Sequence, residues 1–225
     1  QKPFEAFASA LKNRDFRFFV LSDFMYWLAL TFIQTGIAFY VITLLELPEG
    51  FTSTLLVLLF LLSFVFYVPV NVLAKAIGKK RTLAIAFVPF ALVFLFVSVL
   101  GLVPLPPAIQ GYLLVALAAI PLSAFGILPN AIIADIADAD AKQQGNHKAA
   151  IFFGLRGLVM KLGIAGANLI FPSLLLLGRT VENNLGVRLS GVVAVAFVIL
   201  GGLFLIGYRE DRVAAVVAGE GADPE

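Results

Sequence analysis

Residues 151–177, IFFGLRGLVMKLGIAGANLIFPSLLLL, stay apolar for longer than a soluble core helix requires. Crossing a hydrocarbon core takes about 20 mostly apolar residues, and this run supplies them. Its only charges are Arg156 and Lys161. Five more runs of the same kind occupy residues 17–43, 53–74, 82–101, 110–134 and 189–208. Short links rich in Pro, Gly and Asn separate them, as in residues 45–50 (LELPEG) and 178–186 (GRTVENNLG). The fold class expected is an all-α membrane protein with a bundle of six transmembrane helices. Residues 1–16 are expected to form a cytoplasmic lead-in without signal-peptide features, and residues 209–225 a disordered cytoplasmic tail.

Composition agrees. The chain is 61% hydrophobic with a mean hydropathy of +1.01, against roughly 45–50% apolar residues in a soluble domain. Net charge is +2, too small to suggest a nucleic-acid partner. Cysteine is absent, which excludes a disulfide framework. No zinc-site spacing, nucleophile elbow or phosphate-binding loop is present, so the sequence does not read as an enzyme and implies no cofactor. Lys2, Lys12, Arg14, Arg17, Lys75, Lys79, Lys80, Arg81, Lys142, Lys148, Arg209 and Arg212 fall on one side of the expected bundle, and only Arg179 and Arg188 on the other. The positive-inside rule then places both termini in the cytoplasm, and the chain is expected in the plasma (inner) membrane. Prolines 69, 89, 121, 129 and 172 lie inside spans, a pattern suited to bent helices around a cavity.

An ionisable group inside a membrane costs about 2.5–3.5 kcal/mol at a helix centre. Lys161 lies about 15 Å from the start of its span, too deep for its side chain to snorkel. It shares a face with Gly154, Gly157, Ala165, Asn168 and Pro172. It is either salt-bridged within the bundle or exposed to a polar path. Arg156 is shallower, either an interface anchor or a gating residue. Asp23, Trp27 and Gln34 share a face of the first span, a carboxylate, an aromatic ring and an amide suited to a sugar or cation. Asp23 is alternatively an interfacial ion pair with Arg14 or Arg17. Tyr67 and Asn71 flank Pro69 on the second span, and Ser123, Pro129 and Asn130 mark the fourth. Asp135 and Asp138, one turn apart where the fourth span ends, are candidates with Arg156 for a cytoplasmic gate, with Arg156, Lys75 or the 79–81 cluster as partners. Asp140 follows them, and His147 is read as a loop residue.

Residues 128–163, LPNAIIADIADADAKQQGNHKAAIFFGLRGLVMKLG, resemble the signature region of the glycoside–pentoside–hexuronide:cation symporters, the melibiose-permease-like branch of the major facilitator superfamily. The matching positions are Pro129, Asp135, Gly145, Gly154, Arg156 and Lys161. Residues 74–83 (AKAIGKKRTL) resemble the loop between that family's spans eight and nine, and residues 10–24 (ALKNRDFRFFVLSDF) its approach to span seven. The loop reads GNHK where the family more often has Gly-Lys/Arg-Arg. The resemblance implies spans seven to twelve of a twelve-span transporter. Its N-terminal six-helix half, or a second copy of this chain, would be the partner. It implies symport of a sugar or glycoside with Na⁺ or H⁺ by alternating access. On the reading of the residues themselves, Lys161 is expected on the substrate and cation path, balancing an acid of the other half, with Asn168, Asp23, Trp27, Gln34, Tyr67 and Asn71 as further candidates on that path. Alternative readings are a lysophospholipid-type lipid transporter of the same fold and a non-transporting membrane scaffold.

Overall fold

The computed structural model describes residues 10–145 and 148–219, so His147 lies outside the described residues. Most of these residues are helical, with no strand among them. Helix α1 (Arg14–Phe39) runs into a π-helical turn (Tyr40–Leu44). It is followed by α2 (Gly50–Ile77), α3 (Lys79–Val99), α4 (Pro107–Gln144), α5 (Ala149–Leu175), α6 (Leu185–Ile206) and a short α7 (Glu210–Ala218). The first six are long and apolar enough to cross a membrane, and they match the six expected spans. Most boundaries fall within a few residues of expectation because Pro, Gly and Asn mark them. Asn13 caps α1 by accepting the Phe16 N–H at 3.1 Å. Pro106 and Pro107 open α4.

Two expectations are corrected at the face that carries both ends of the bundle. Residues 135–144 are not a loop: α4 continues through them to a length of 38 residues. That is about 57 Å, well beyond a hydrocarbon core of about 30 Å. No breaker interrupts the Ala- and Asp-rich stretch until Gly145, which adopts φ +71 and closes the helix as a left-handed cap. The tail is likewise helical over Glu210–Ala218 where disorder was expected. Acidic Glu210 and Asp211 favour its first turn, and Val213 is buried against the bundle. Residues 220–225 of the expected tail lie outside the described residues.

The helices form an open arc. α1 packs on α5 and α6, α6 on α3, α3 on α4, and α4 on α2. α1 is the most enclosed, with 67% of its most apolar window buried, against 22% in both α2 and α5. α2 and α5 therefore stand at the two ends of the arc with much of their surface uncovered. Aromatic packing holds the interior: Tyr26 stacks on Phe125 at 3.8 Å between centroids, and Phe32 meets Phe171 and Phe197 edge-on. At the far end of the arc's axis, Tyr40 bridges to Ser190 at 3.1 Å. Gly36 is required there, because a Cβ would lie 2.5 Å from the Tyr40 hydroxyl. Arg188 caps the C-terminus of α3 by donating to Ser98 O and Leu100 O, each at 3.0 Å.

Candidate functional site

Polar side chains from three helices meet where α1, α4 and α5 converge. Asp23 of α1 is 1% exposed. Its carboxylate accepts twice from Arg156 of α5, Nε to Oδ2 at 2.9 Å and Nη2 to Oδ1 at 3.2 Å. Arg156 Nη1 donates to Asn130 Oδ1 of α4 at 2.6 Å. The planar guanidinium suits this arrangement, since its fork can match a carboxylate while a third N–H reaches elsewhere. The pair corrects two expectations. Asp23 does not pair with Arg14 or Arg17, and Arg156 is neither a free interface anchor nor a partner of Asp135 or Asp138.

Beside this cluster lies a cavity of about 370 Å³, walled by α1, α2, α4 and α5. Aromatic rings form much of it: Tyr26, Trp27, Phe60, Phe64, Tyr67 and Phe125. Gln34, Ser63, Asn130 and Arg156 supply polar edges. Trp27 Nε1 is buried beside the Asp23 carboxylate without a well-formed hydrogen bond among the described residues. The cavity opposes aromatic faces to amide and guanidinium donors. It could pack a ring's C–H surface while satisfying its hydroxyls. Its one cation is already matched by Asp23, so the wall carries no net charge and suits a neutral polar ligand.

Of the residues singled out by sequence, Trp27, Gln34, Tyr67, Asn130 and Arg156 line this cavity, and Asp23 sits against it through Arg156. Lys161, Asn168 and Asn71 do not line it. Lys161 is exposed and makes no hydrogen bond or ion pair among the described residues, which removes the internal salt bridge considered for it. A Cβ on Gly154 or Gly157 would meet nothing within 4 Å, so the whole stripe looks outward. Asn168 is exposed at its edge, and its Oδ1 accepts from Thr35 at 3.4 Å. Asp135 pairs with Lys79 at 2.5 Å, joining α4 to the start of α3, while Asp138 is exposed. Asp140 is buried and accepts from Asn13 Nδ2 at 3.2 Å and Gln144 Nε2 at 3.0 Å. Of the α2 wall, sequence reasoning found Tyr67 but missed Phe60, Ser63 and Phe64, although Phe60, Phe64 and Tyr67 are spaced four and three apart and so share one helix face.

Six membrane-spanning helices arranged as an open arc around an aromatic and polar cavity define a membrane transporter. Residues 2–208 match the family described as MFS/sugar transport protein, and the chain belongs to that family. Its members are secondary transporters, not enzymes. No curated protein matches the chain.

Proposed function

We propose that the chain carries a sugar or glycoside across the membrane by cation-coupled symport with Na⁺ or H⁺, the two termini lying in the cytoplasm. The observation that carries this reading is the cavity between α1, α2, α4 and α5, where Trp27 and Tyr67 flank Gln34, Asn130 and Arg156 without net charge. Neutral hydroxylated rings match that surface better than anions or lone cations do. The outward stripe of Gly154, Gly157, Lys161 and Asn168 supports a second part of the reading. A lysine facing lipid at mid-membrane costs about 2.5–3.5 kcal/mol. Lys161 therefore meets an acidic group of a further six-helix unit, either an N-terminal half or a second copy, and the transport path runs between the two units.

The test is uptake of radiolabelled mono- and disaccharides into proteoliposomes that hold the chain together with its second six-helix unit, under an imposed Na⁺ or H⁺ gradient. Gradient-dependent accumulation of at least one sugar is expected, and Trp27→Ala should weaken it at least tenfold with membrane insertion intact. Accumulation that ignores both gradients would remove the coupling. Wild-type uptake by Trp27→Ala would move the substrate out of this cavity.

A further inference from the structure

A second groove lies on the opposite flank of α1, between α1 and α5. It encloses about 390 Å³ and is walled by Leu11, Val20, Leu21, Phe24, Val159 and Leu162, with Arg17 at one end. Apart from Arg17 the walls are wholly apolar. Leu11, Leu21 and Leu162 are 46%, 40% and 56% exposed, so the groove opens outward.

Its length and its charge point to one kind of occupant. Arg17 lies near the start of α1, and Phe24 is about 10 Å further along that helix. Leu162 is about 20 Å from the start of α5. The groove thus runs from the membrane surface to about the bilayer middle, the depth of one leaflet of a hydrocarbon core about 30 Å thick. Its outer end is basic. Arg14 stands one turn before Arg17, with its guanidinium 5.6 Å from the Phe18 ring, and Lys12 is exposed just beyond. Nearby carboxylates are committed elsewhere. Asp15 is turned inward, accepting from the Arg209 N–H at 3.0 Å, and Asp23 is bound to Arg156. Arg17 is left without an acidic partner among the described residues.

We propose that this groove holds one anionic phospholipid from the leaflet on the basic face. Its phosphate sits on Arg17, and one acyl chain lies along Leu21, Phe24, Val159 and Leu162. Basic residues at a membrane surface attract anionic headgroups, and here an apolar channel of leaflet depth continues directly from them. A soluble anion would have no use for that channel, and a zwitterionic lipid none for the uncompensated charge. The lipid would seal the seam between α1 and α5 on the side away from the transport cavity.

Native mass spectrometry of the purified chain, titrated with phosphatidylglycerol and with phosphatidylcholine of identical acyl chains, tests this. One phosphatidylglycerol should be retained in preference to phosphatidylcholine. Arg17→Gln should weaken its retention about fivefold, the size of one basic residue's attraction to an anionic surface, without changing phosphatidylcholine. Leu162→Trp, which fills the channel and keeps the charge, should also lose the bound lipid; Val159→Phe replaces it if helicity or monodispersity suffers. Equal retention of the two lipids by the wild type overturns the proposal. So does phosphatidylglycerol retention that neither variant reduces, because attraction would then be diffuse. A cysteine at Leu21 that cross-links to another protein segment, and not to a photoactivatable phosphatidylglycerol, overturns it as well.

Discussion

Asp23 and Arg156 are 133 residues apart in sequence, yet their charged atoms meet at 2.9 Å, the carboxylate fully buried and the guanidinium nearly so at the cavity's edge. Such a pair is costly to bury and costlier to break, since removing one partner strands the other, at about 3–5 kcal/mol. Arg156→Ala should therefore lower the melting temperature of the detergent-solubilised protein by several degrees. The double variant Asp23→Asn, Arg156→Gln, which strands no charge, should recover much of that loss. Circular dichroism melts of the three proteins check this, and a double variant no better than Arg156→Ala would mean the pair does not couple. The sequence made Asp23 and Arg156 visible as charges inside spans, but not as partners. Depth along a helix was legible, whereas orientation was not. Five residues separate Arg156 from Lys161, about 140° around a helix, so one faces the bundle and the other faces away. The stripe of Gly154, Gly157, Lys161 and Asn168 was correctly legible as a single face. Whether that face looked in or out depends on the contacts of α1, which no local pattern encodes.

At the scale of elements, α7 ties the ends of three helices together. Both oxygens of Glu210 accept from the first turn of α3, Oε1 from the Lys79 N–H at 2.6 Å and Oε2 from the Lys80 N–H at 2.9 Å. A residue 131 positions away thus does the work of an N-cap and places a negative charge at the positive end of the α3 dipole. Lys142 of α4 donates to Val217 O of α7, and Asp15 of α1 holds the Arg209 N–H. Gly78 makes room for the cap: it adopts φ +95, and a Cβ there would lie 2.7 Å from Glu210 Oε2. Glu210→Ala should cost about 1 kcal/mol, the usual worth of a cap. It should also speed amide exchange through residues 79–82 and 210–218 while leaving α6 unchanged. Hydrogen exchange with mass spectrometry reads both, and unchanged protection at 79–82 would refute the capping role. Gly78→Ala should reproduce the effect through strain. The sequence showed six apolar spans clearly because lipid imposes length and composition on them. It hid α7 and the last ten residues of α4, where polar composition resembles a loop and helicity comes from docking to neighbours.

The whole molecule is an arc of helices whose two ends, α2 and α5, remain uncovered. The exposed face of α2 is apolar, with Leu61, Val65 and Val68 at 58%, 66% and 69% exposure, and lipid would tolerate it. The exposed face of α5 is different, because Lys161 lies on it with small residues and Asn168. Lipid facing that stripe would leave an ammonium group without a partner at mid-membrane. A water-filled path or an acidic group on a second six-helix unit would not. The two environments differ chemically in a way that labelling can read. In membranes, Lys161→Cys and Gly157→Cys should react with a membrane-impermeant maleimide at rates near those of a loop cysteine such as Asn183→Cys, and Leu169→Cys, 73% exposed in the wild type, should not. If all three span positions stay unlabelled, the stripe faces lipid or dry protein, and the transport path does not run along this face of α5. If they label as expected, Lys161→Ala in the same transport assay should reduce gradient-driven sugar accumulation at least tenfold. Counterflow exchange, which needs no net charge movement, separates two roles for the lysine. Exchange that survives in Lys161→Ala assigns the lysine to coupling, whereas exchange lost with accumulation assigns it to the path itself.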